Sequence, residues 1–128
     1  MSENVLKATG ALLLRVVLED DKEATSEDSL EFHLDAPGVE GYIIGRSDAG
    51  SSYVPDVDLA PFEAQQRGIS RRHAAIVRYR GGVHILDLGS MNGTFVNNER
   101  LSPQVVHALK DGDQLSLANL HMTVTESN

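Results

Sequence analysis

Three short polar stretches of the chain carry the side chains best suited to chemistry. They are Gly45-Arg46, Ser70-Arg71-Arg72-His73 and Ser90-Met91-Asn92-Gly93-Thr94. An arginine presents a planar fork of donors and a serine a short hydroxyl donor, so Arg46, Ser70 and Arg71 together suit an anion. The side-chain amide of Asn92 both donates and accepts, which suits contact with a peptide backbone. These residue types predict a binding site for an anionic group.

Ser70 and His73 also allow a second interpretation, a serine nucleophile with a histidine base in a small hydrolase. Hydrolysis would further require a carboxylate that orients the imidazole and an oxyanion hole, and the sequence places neither. We therefore expect no catalytic residue. We expect His73 to lie under the loop, to bond backbone groups and to fix the position of Ser70. The remaining histidines show no spacing that pairs ligands and the chain has no cysteine, so we expect no metal and no cofactor.

Composition describes one acidic globular domain. The chain has 128 residues, 41% of them hydrophobic, and eleven basic residues against nineteen acidic ones give a net charge of −8. This charge opposes binding to nucleic acid or to an anionic membrane. No apolar run is long enough to span a membrane, the N-terminus carries no export signal, and cysteine is absent, so we expect a cytoplasmic protein. All six basic residues of 41–90 are arginines, which by itself is more typical of a solvated strand face than of a local anion site.

The elements that must position these residues are short strands. Brief runs of Val, Ile and Leu alternate with clusters of Gly, Asp, Asn, Ser and Pro, and Leu120 to Thr125 alternates with period two. The runs 74–79 and 83–88 flank Arg80-Gly81-Gly82, which suits a hairpin turn. The one helical candidate, 61–67, is too short to be more than a turn. We expect an all-β antiparallel sandwich of about 10–11 strands with its binding loops at one end.

The sandwich is predicted to occupy residues 10–125, with loose ends at 1–9 and 126–128. The acidic stretch Asp20 to Ser29 is predicted to be a polar loop.

Five motifs in order resemble the forkhead-associated (FHA) domain, a module that binds phosphothreonine peptides. They are Gly45-Arg46, Asp56 to Leu59, Ile69 to Ala74, Leu86 to Asn97, and Leu109 to Asp113. The resemblance extends from about Gly41 to Val124, and it implies that Arg46 and Ser70 grip the phosphate with help from Arg71. It also implies that Asn92 contacts the peptide backbone, while Gly45, His73, Gly93 and Thr94 support the site. Met91 stands where the family more often has a small hydroxyl residue, so we expect a backbone contact from it.

The function that this resemblance implies is phosphothreonine-dependent binding of a protein or peptide in Ser/Thr-kinase signalling, without catalysis. The alternative from another class is a β-sandwich scaffold that binds its partners whether or not they are phosphorylated. Thr25 lies in the acidic loop with Asp28 three residues on, so phosphorylated Thr25 is a candidate ligand for the chain's own site or for a second copy.

Overall fold

The computed structural model describes residues 5–17 and 31–127. Within these ranges the chain forms eleven strands and one turn of 3₁₀ helix, η1 at Ala60–Phe62. The strands are β1 (Leu12–Val17), β2 (Glu31–Leu34), β3 (Tyr42–Gly45), β4 (Val57–Asp58), β5 (Arg72–Tyr79), β6 (Gly82–Asp87), β7 (Thr94–Val96), β8 (Glu99–Arg100), β9 (His107–Ala108), β10 (Gln114–Leu117) and β11 (Leu120–Glu126). Thr25 and the acidic stretch around it lie outside the described residues.

Two sheets form the sandwich. One has six strands in the order β2-β1-β11-β10-β7-β8, and the other has five in the order β4-β3-β5-β6-β9. Neighbouring strands are antiparallel except β3 and β4, which run parallel. The predicted all-β sandwich is therefore confirmed. The predicted helical candidate is only the single turn η1, whose residue Phe62 is buried. None of the described helices is long and apolar enough to cross a membrane.

Strict alternation along the long strands builds the core between the sheets. The residues of β11 that point inward are each at most 1% exposed, namely Leu120, Met122 and Val124. Because successive side chains point to opposite faces of a strand, the polar residues between them remain partly exposed. β11 continues through Glu126, and the N–H of Ser127 donates to the carbonyl of Ala11, so the predicted loose end at 126–128 is wrong for these two residues.

The N-terminal segment is part of the domain from residue 5 onward. Leu6 and Ala8 are 3% and 4% exposed. The N–H of Leu6 donates to the carbonyl of Leu109, and the carbonyl of Leu6 accepts from Val83, each at 2.8 Å. The predicted loose tail over 1–9 is therefore wrong for residues 5–8, because Leu6 and Ala8 are buried and their backbone groups pair with the sandwich.

The hairpin between β5 and β6 turns through Arg80 and Gly81, whose φ angles are 51° and 75°. Two successive positive φ values match the twist of a two-residue hairpin. Gly82 already belongs to β6, so the turn uses one glycine of the pair and an arginine instead of both glycines. This turn lies at the far end of β5 from Arg72 and the loop that precedes it.

Candidate functional site

Arg46 leaves β3 where the sheet becomes irregular. The register between β3 and β5 shifts between Ile44 and Gly45. A Cβ on Gly45 would overlap the carbonyl oxygen of Arg71 and would lie 3.0 Å from that of Ser70. The N–H of Arg46 donates to the Arg71 carbonyl at 3.2 Å. Only glycine permits this close approach of two backbones, and the approach places Arg46 against the loop that carries Ser70.

The guanidinium of Arg46 is held on two of its three nitrogens. Nε donates to the carbonyl of Ile69 at 2.7 Å, and Nη1 donates to Asp48 Oδ1 at 3.0 Å. The side chain is 18% exposed. Across the described ranges, Nη2 takes part in no hydrogen bond. The result is an oriented guanidinium with donor capacity left for an anion.

The backbone of Ser70 is held by a hydrogen bond, while the hydrogen of its hydroxyl group stays available for donation. Its N–H donates to Nδ1 of His73 at 3.1 Å, and its Oγ accepts from the N–H of Met91 at 3.3 Å. An oxygen that accepts from an amide can still donate its own proton to a ligand. The N–H of Met91, for which the sequence predicts a contact with the peptide, bonds Ser70 in the structure. Met91 as a whole is 84% exposed.

His73 joins two of the three polar stretches from beneath. The imidazole is fully buried, and its Nε2 bonds the carbonyl of Gly93 at 2.8 Å while Nδ1 accepts from Ser70. Burial lowers the pKa of His73 below its ordinary 6.5, against the opposing effects of the Gly93 carbonyl and of the Asp87 charge. A neutral ring with its proton on Nε2 satisfies both bonds. Since Nδ1 engages the Ser70 amide and not its hydroxyl, the arrangement differs from a nucleophile and its base.

Asn92 lies at the rim, tied to the loop that precedes β5. Its Nδ2 donates to the carbonyl of Gly68 at 2.9 Å. Gly68 has a φ of 84°, and a Cβ there would come within 2.5 Å of the Asn92 amide nitrogen. Oδ1 of Asn92 accepts no hydrogen bond from any residue that the structure describes. The left-handed turn falls on Gly93, with a φ of 93°, so Asn92 itself is not needed for the turn.

Asp87 organises the loop between β6 and β7, a role that sequence reasoning missed. It is 2% exposed and accepts from the N–H groups of Gly89 and Ser90 at 3.0 and 3.1 Å and from the Ser90 hydroxyl. It also accepts from Thr94 Oγ1 at 2.7 Å. Burial acts to raise the pKa of Asp87, but these bonds outweigh it and hold the pKa below 3.8. The signal was present, because aspartate readily bonds backbone groups two and three residues ahead.

Two other aspartates of the FHA-like motifs, Asp56 and Asp58, serve loop geometry. Asp56 Oδ2 accepts from the N–H of Ile43 at 2.8 Å. Asp58 Oδ1 accepts from the N–H groups of Ser47 and Ala60 at 2.9 and 3.0 Å. These bonds hold the start and the end of the loop that carries Arg46. Within 5–17 and 31–127, no three His, Asp or Glu side chains are grouped closely enough to hold a metal ion.

Arg71 is exposed beside the site, at the edge of an open cavity of about 520 Å³ that Ser51, Tyr53 and Arg72 also line. The structure thus brings together the three polar stretches that the sequence singled out. Gly45-Arg46, the loop around Ser70 and the loop around Asn92 meet at one end of the sandwich through direct hydrogen bonds.

Comparison with known proteins identifies the fold and the family. The FHA domain family matches residues 42–118, which is more than half of the chain. The chain belongs to the FHA domain family. Structures of FHA domains cover nearly all of it: that of the CT664 protein from Chlamydia trachomatis is 28% identical, with a TM-score of 0.66 over 92% of this chain and 99% of the other.

Two further proteins that the chain resembles are informative. A structure from a study of phosphothreonine-dependent FHA domain interactions is 27% identical, with a TM-score of 0.60, covering 92% of this chain and 98% of that one. Protein FraH of Nostoc is 47% identical over 64 residues, which are 49% of this chain and 22% of FraH. The chain therefore spans less than a quarter of this curated relative.

Proposed function

We propose that this FHA domain binds phosphothreonine peptides at the rim formed by Arg46, Ser70 and Asn92, and that it performs no chemistry on them. The observation that carries the proposal is the guanidinium of Arg46, which Ile69 and Asp48 orient against the loop that carries Ser70. Support also comes from the family and from the relative that was studied for phosphothreonine-dependent interactions. A signalling role, with a phosphorylated protein as partner, follows from this binding.

A phosphothreonine presents nearly two negative charges and three acceptor oxygens. In the proposed complex, Nη2 of Arg46 and the hydroxyl of Ser70 donate to the phosphate, and the exposed Arg71 adds a second cation. Oδ1 of Asn92 accepts from a peptide N–H next to the phosphothreonine. Each charge-assisted bond contributes about 1.5–3 kcal/mol, so loss of the phosphate removes most of the attraction.

The decisive experiment measures binding of one threonine peptide, with and without the phosphate, by fluorescence anisotropy. The wild-type domain should bind the phosphorylated form in the micromolar range, about −8 kcal/mol. Arg46→Ala should weaken this binding about 10- to 100-fold, because it removes the charge-assisted bond that Nη2 donates to the phosphate. Arg78→Ala, an exposed arginine on β5, is the matched control and should leave binding unchanged.

Three results would contradict the proposal. Equal binding of the phosphorylated and the plain peptide would favour the phosphorylation-independent scaffold. If Arg46→Ala binds the phosphopeptide as tightly as the wild type, the phosphate does not bind at this rim. If the protein hydrolyses ester or peptide substrates and Ser70→Ala abolishes this activity, the hydrolase hypothesis is correct. The hydrogen bond from the Ser70 amide to His73 argues against that hypothesis.

A further inference from the structure

Arg100 lies beside the proposed site on a strand that none of the site residues occupies. It belongs to β8 and pairs with Phe95 of β7. Its guanidinium lies flat against Gly93, where a Cβ would come within 2.8 Å of Nε and 3.0 Å of Cζ. Cζ is also 5.9 Å from the centre of the Phe95 ring. Glycine and an aromatic ring thus form a platform that holds a cation next to the Asn92 loop.

The charge of Arg100 is not neutralised by the part of the protein that the structure describes. The residue is exposed, and no ion pair or hydrogen bond of its side chain is formed within residues 5–17 and 31–127. Its contacts with Phe95 and Gly93 leave the N–H groups of the guanidinium available for a ligand.

We propose that Arg100 forms a second subsite of the peptide site, which binds an acidic side chain of the phosphothreonine ligand. This inference rests on the proposed function and adds to it a preference in the ligand. Met91, whose N–H bonds Ser70, is two residues from Gly93, on which Arg100 packs. Successive Cα atoms of the loop are about 3.8 Å apart, and an extended peptide advances about 3.3 Å per residue. We therefore expect the peptide side chain that contacts Arg100 to lie roughly two to four residues from the phosphothreonine.

The test is a set of phosphothreonine peptides in an alanine background, each with one aspartate at a single position up to four residues on either side. Wild-type protein should bind the aspartate peptide about two- to fivefold more tightly at one position within the predicted reach. Arg100→Gln should bind that peptide no better than the all-alanine one. Arg78→Gln, which makes the same change in charge elsewhere on the surface, should keep the preference.

The remaining outcomes separate this inference from the proposed function. A position-specific preference that persists in Arg100→Gln, or the absence of any preference in the wild type, overturns the subsite while phosphate-dependent binding stands. A uniform loss across all peptides also overturns it, since that result describes general electrostatics. If Arg46→Ala has no effect on the all-alanine phosphopeptide, the proposed function fails and the subsite fails with it. At 0.5 M salt the expected preference should shrink, because the pair is exposed to solvent.

Discussion

Gly45 is the position where one added methyl group should damage both the fold and the site. Its φ is not left-handed, so an alanine there meets no intrinsic backbone strain. The obstacle is the neighbouring backbone, because the new Cβ would overlap the Arg71 carbonyl oxygen and lie 2.7 Å from the carbon of that group. Neither atom belongs to a flexible side chain. Gly45→Ala must therefore separate β3 from the loop that precedes β5.

The size of the effect follows from that separation. Carbon atoms pack at about 3.5–4.0 Å, so the two backbones must part by roughly 1 Å. Overpacking of this kind destabilises by about 1–3 kcal/mol, and the bond from Arg46 N–H to the Arg71 carbonyl contributes about 1 kcal/mol more. We expect the free energy of unfolding to fall by about 2–4 kcal/mol. Because Arg46 moves away from Ser70, peptide affinity should fall about 10- to 100-fold.

Urea denaturation followed by circular dichroism measures the stability, and anisotropy at a temperature where the variant is folded measures the affinity. The matched control is Gly50→Ala, since a Cβ on Gly50 meets no atom within 4 Å and its φ is not left-handed. That variant should be as stable as the wild type within about 0.5 kcal/mol and should bind equally well. If Gly45→Ala behaves like Gly50→Ala, the close approach of β3 to this loop is not what positions Arg46.

Three further predictions concern charged and titrating groups. The pKa of His73 is below 6.5 in the folded protein, so the unfolded chain binds more protons than the folded protein once the pH falls below about 6.5. The free energy of unfolding should therefore decrease as the pH falls below that value. NMR titration of the ring in the folded protein should give a midpoint below 6.5. Asp87→Asn should lower the free energy of unfolding, measured in urea, by about 2–4 kcal/mol. The wild type should lose stability as the pH drops below 3.8, because Asp87 becomes protonated, and the variant should lack this part of the pH dependence. Asp48→Asn should tighten phosphopeptide binding about two- to fivefold in anisotropy, because it removes a negative charge near the phosphate while the amide oxygen can still accept from Nη1 of Arg46. Weaker binding would show that the charge of Asp48 is needed to orient the guanidinium.

The fold was readable from the sequence because its signals are local. Alternation in β11 and the turn residues between strands determine which faces are buried, and both are visible in a short window. The N-terminal segment was misjudged because Leu6 and Ala8 form too short a pattern to distinguish from a tail. Its pairing with β6 and with Leu109 is a long-range contact that no local window contains.

The residues of the site could be named from motifs, but the bonds that position them could not. Asp87 was passed over because a carboxylate within a motif gives no sign of being 2% exposed. Arg100 was missed because its contact with Gly93 forms across a β-hairpin and is not visible in a short stretch of sequence. The close approach at Gly45 likewise appears only when two distant backbones are seen together. The binding roles of Arg46, Ser70, Arg71, Met91 and Asn92 remain predictions.

The way in which the rim is held bears on how an acidic protein could select a phosphorylated ligand. A net charge of −8 repels a phosphopeptide at long range, so attraction must come from groups that act at contact distance. Such groups bind well only if they are already oriented, since ordering a side chain upon binding consumes about 0.5–1.5 kcal/mol. Arg46, Ser70 and Asn92 are each tied by a hydrogen bond to backbone or to His73. Within the described ranges, Nη2 of Arg46 and Oδ1 of Asn92 form no hydrogen bond, and the hydroxyl of Ser70 can still donate its hydrogen. These side chains are oriented when the domain folds, before any ligand binds. The attraction that selects a peptide then comes from its phosphate group.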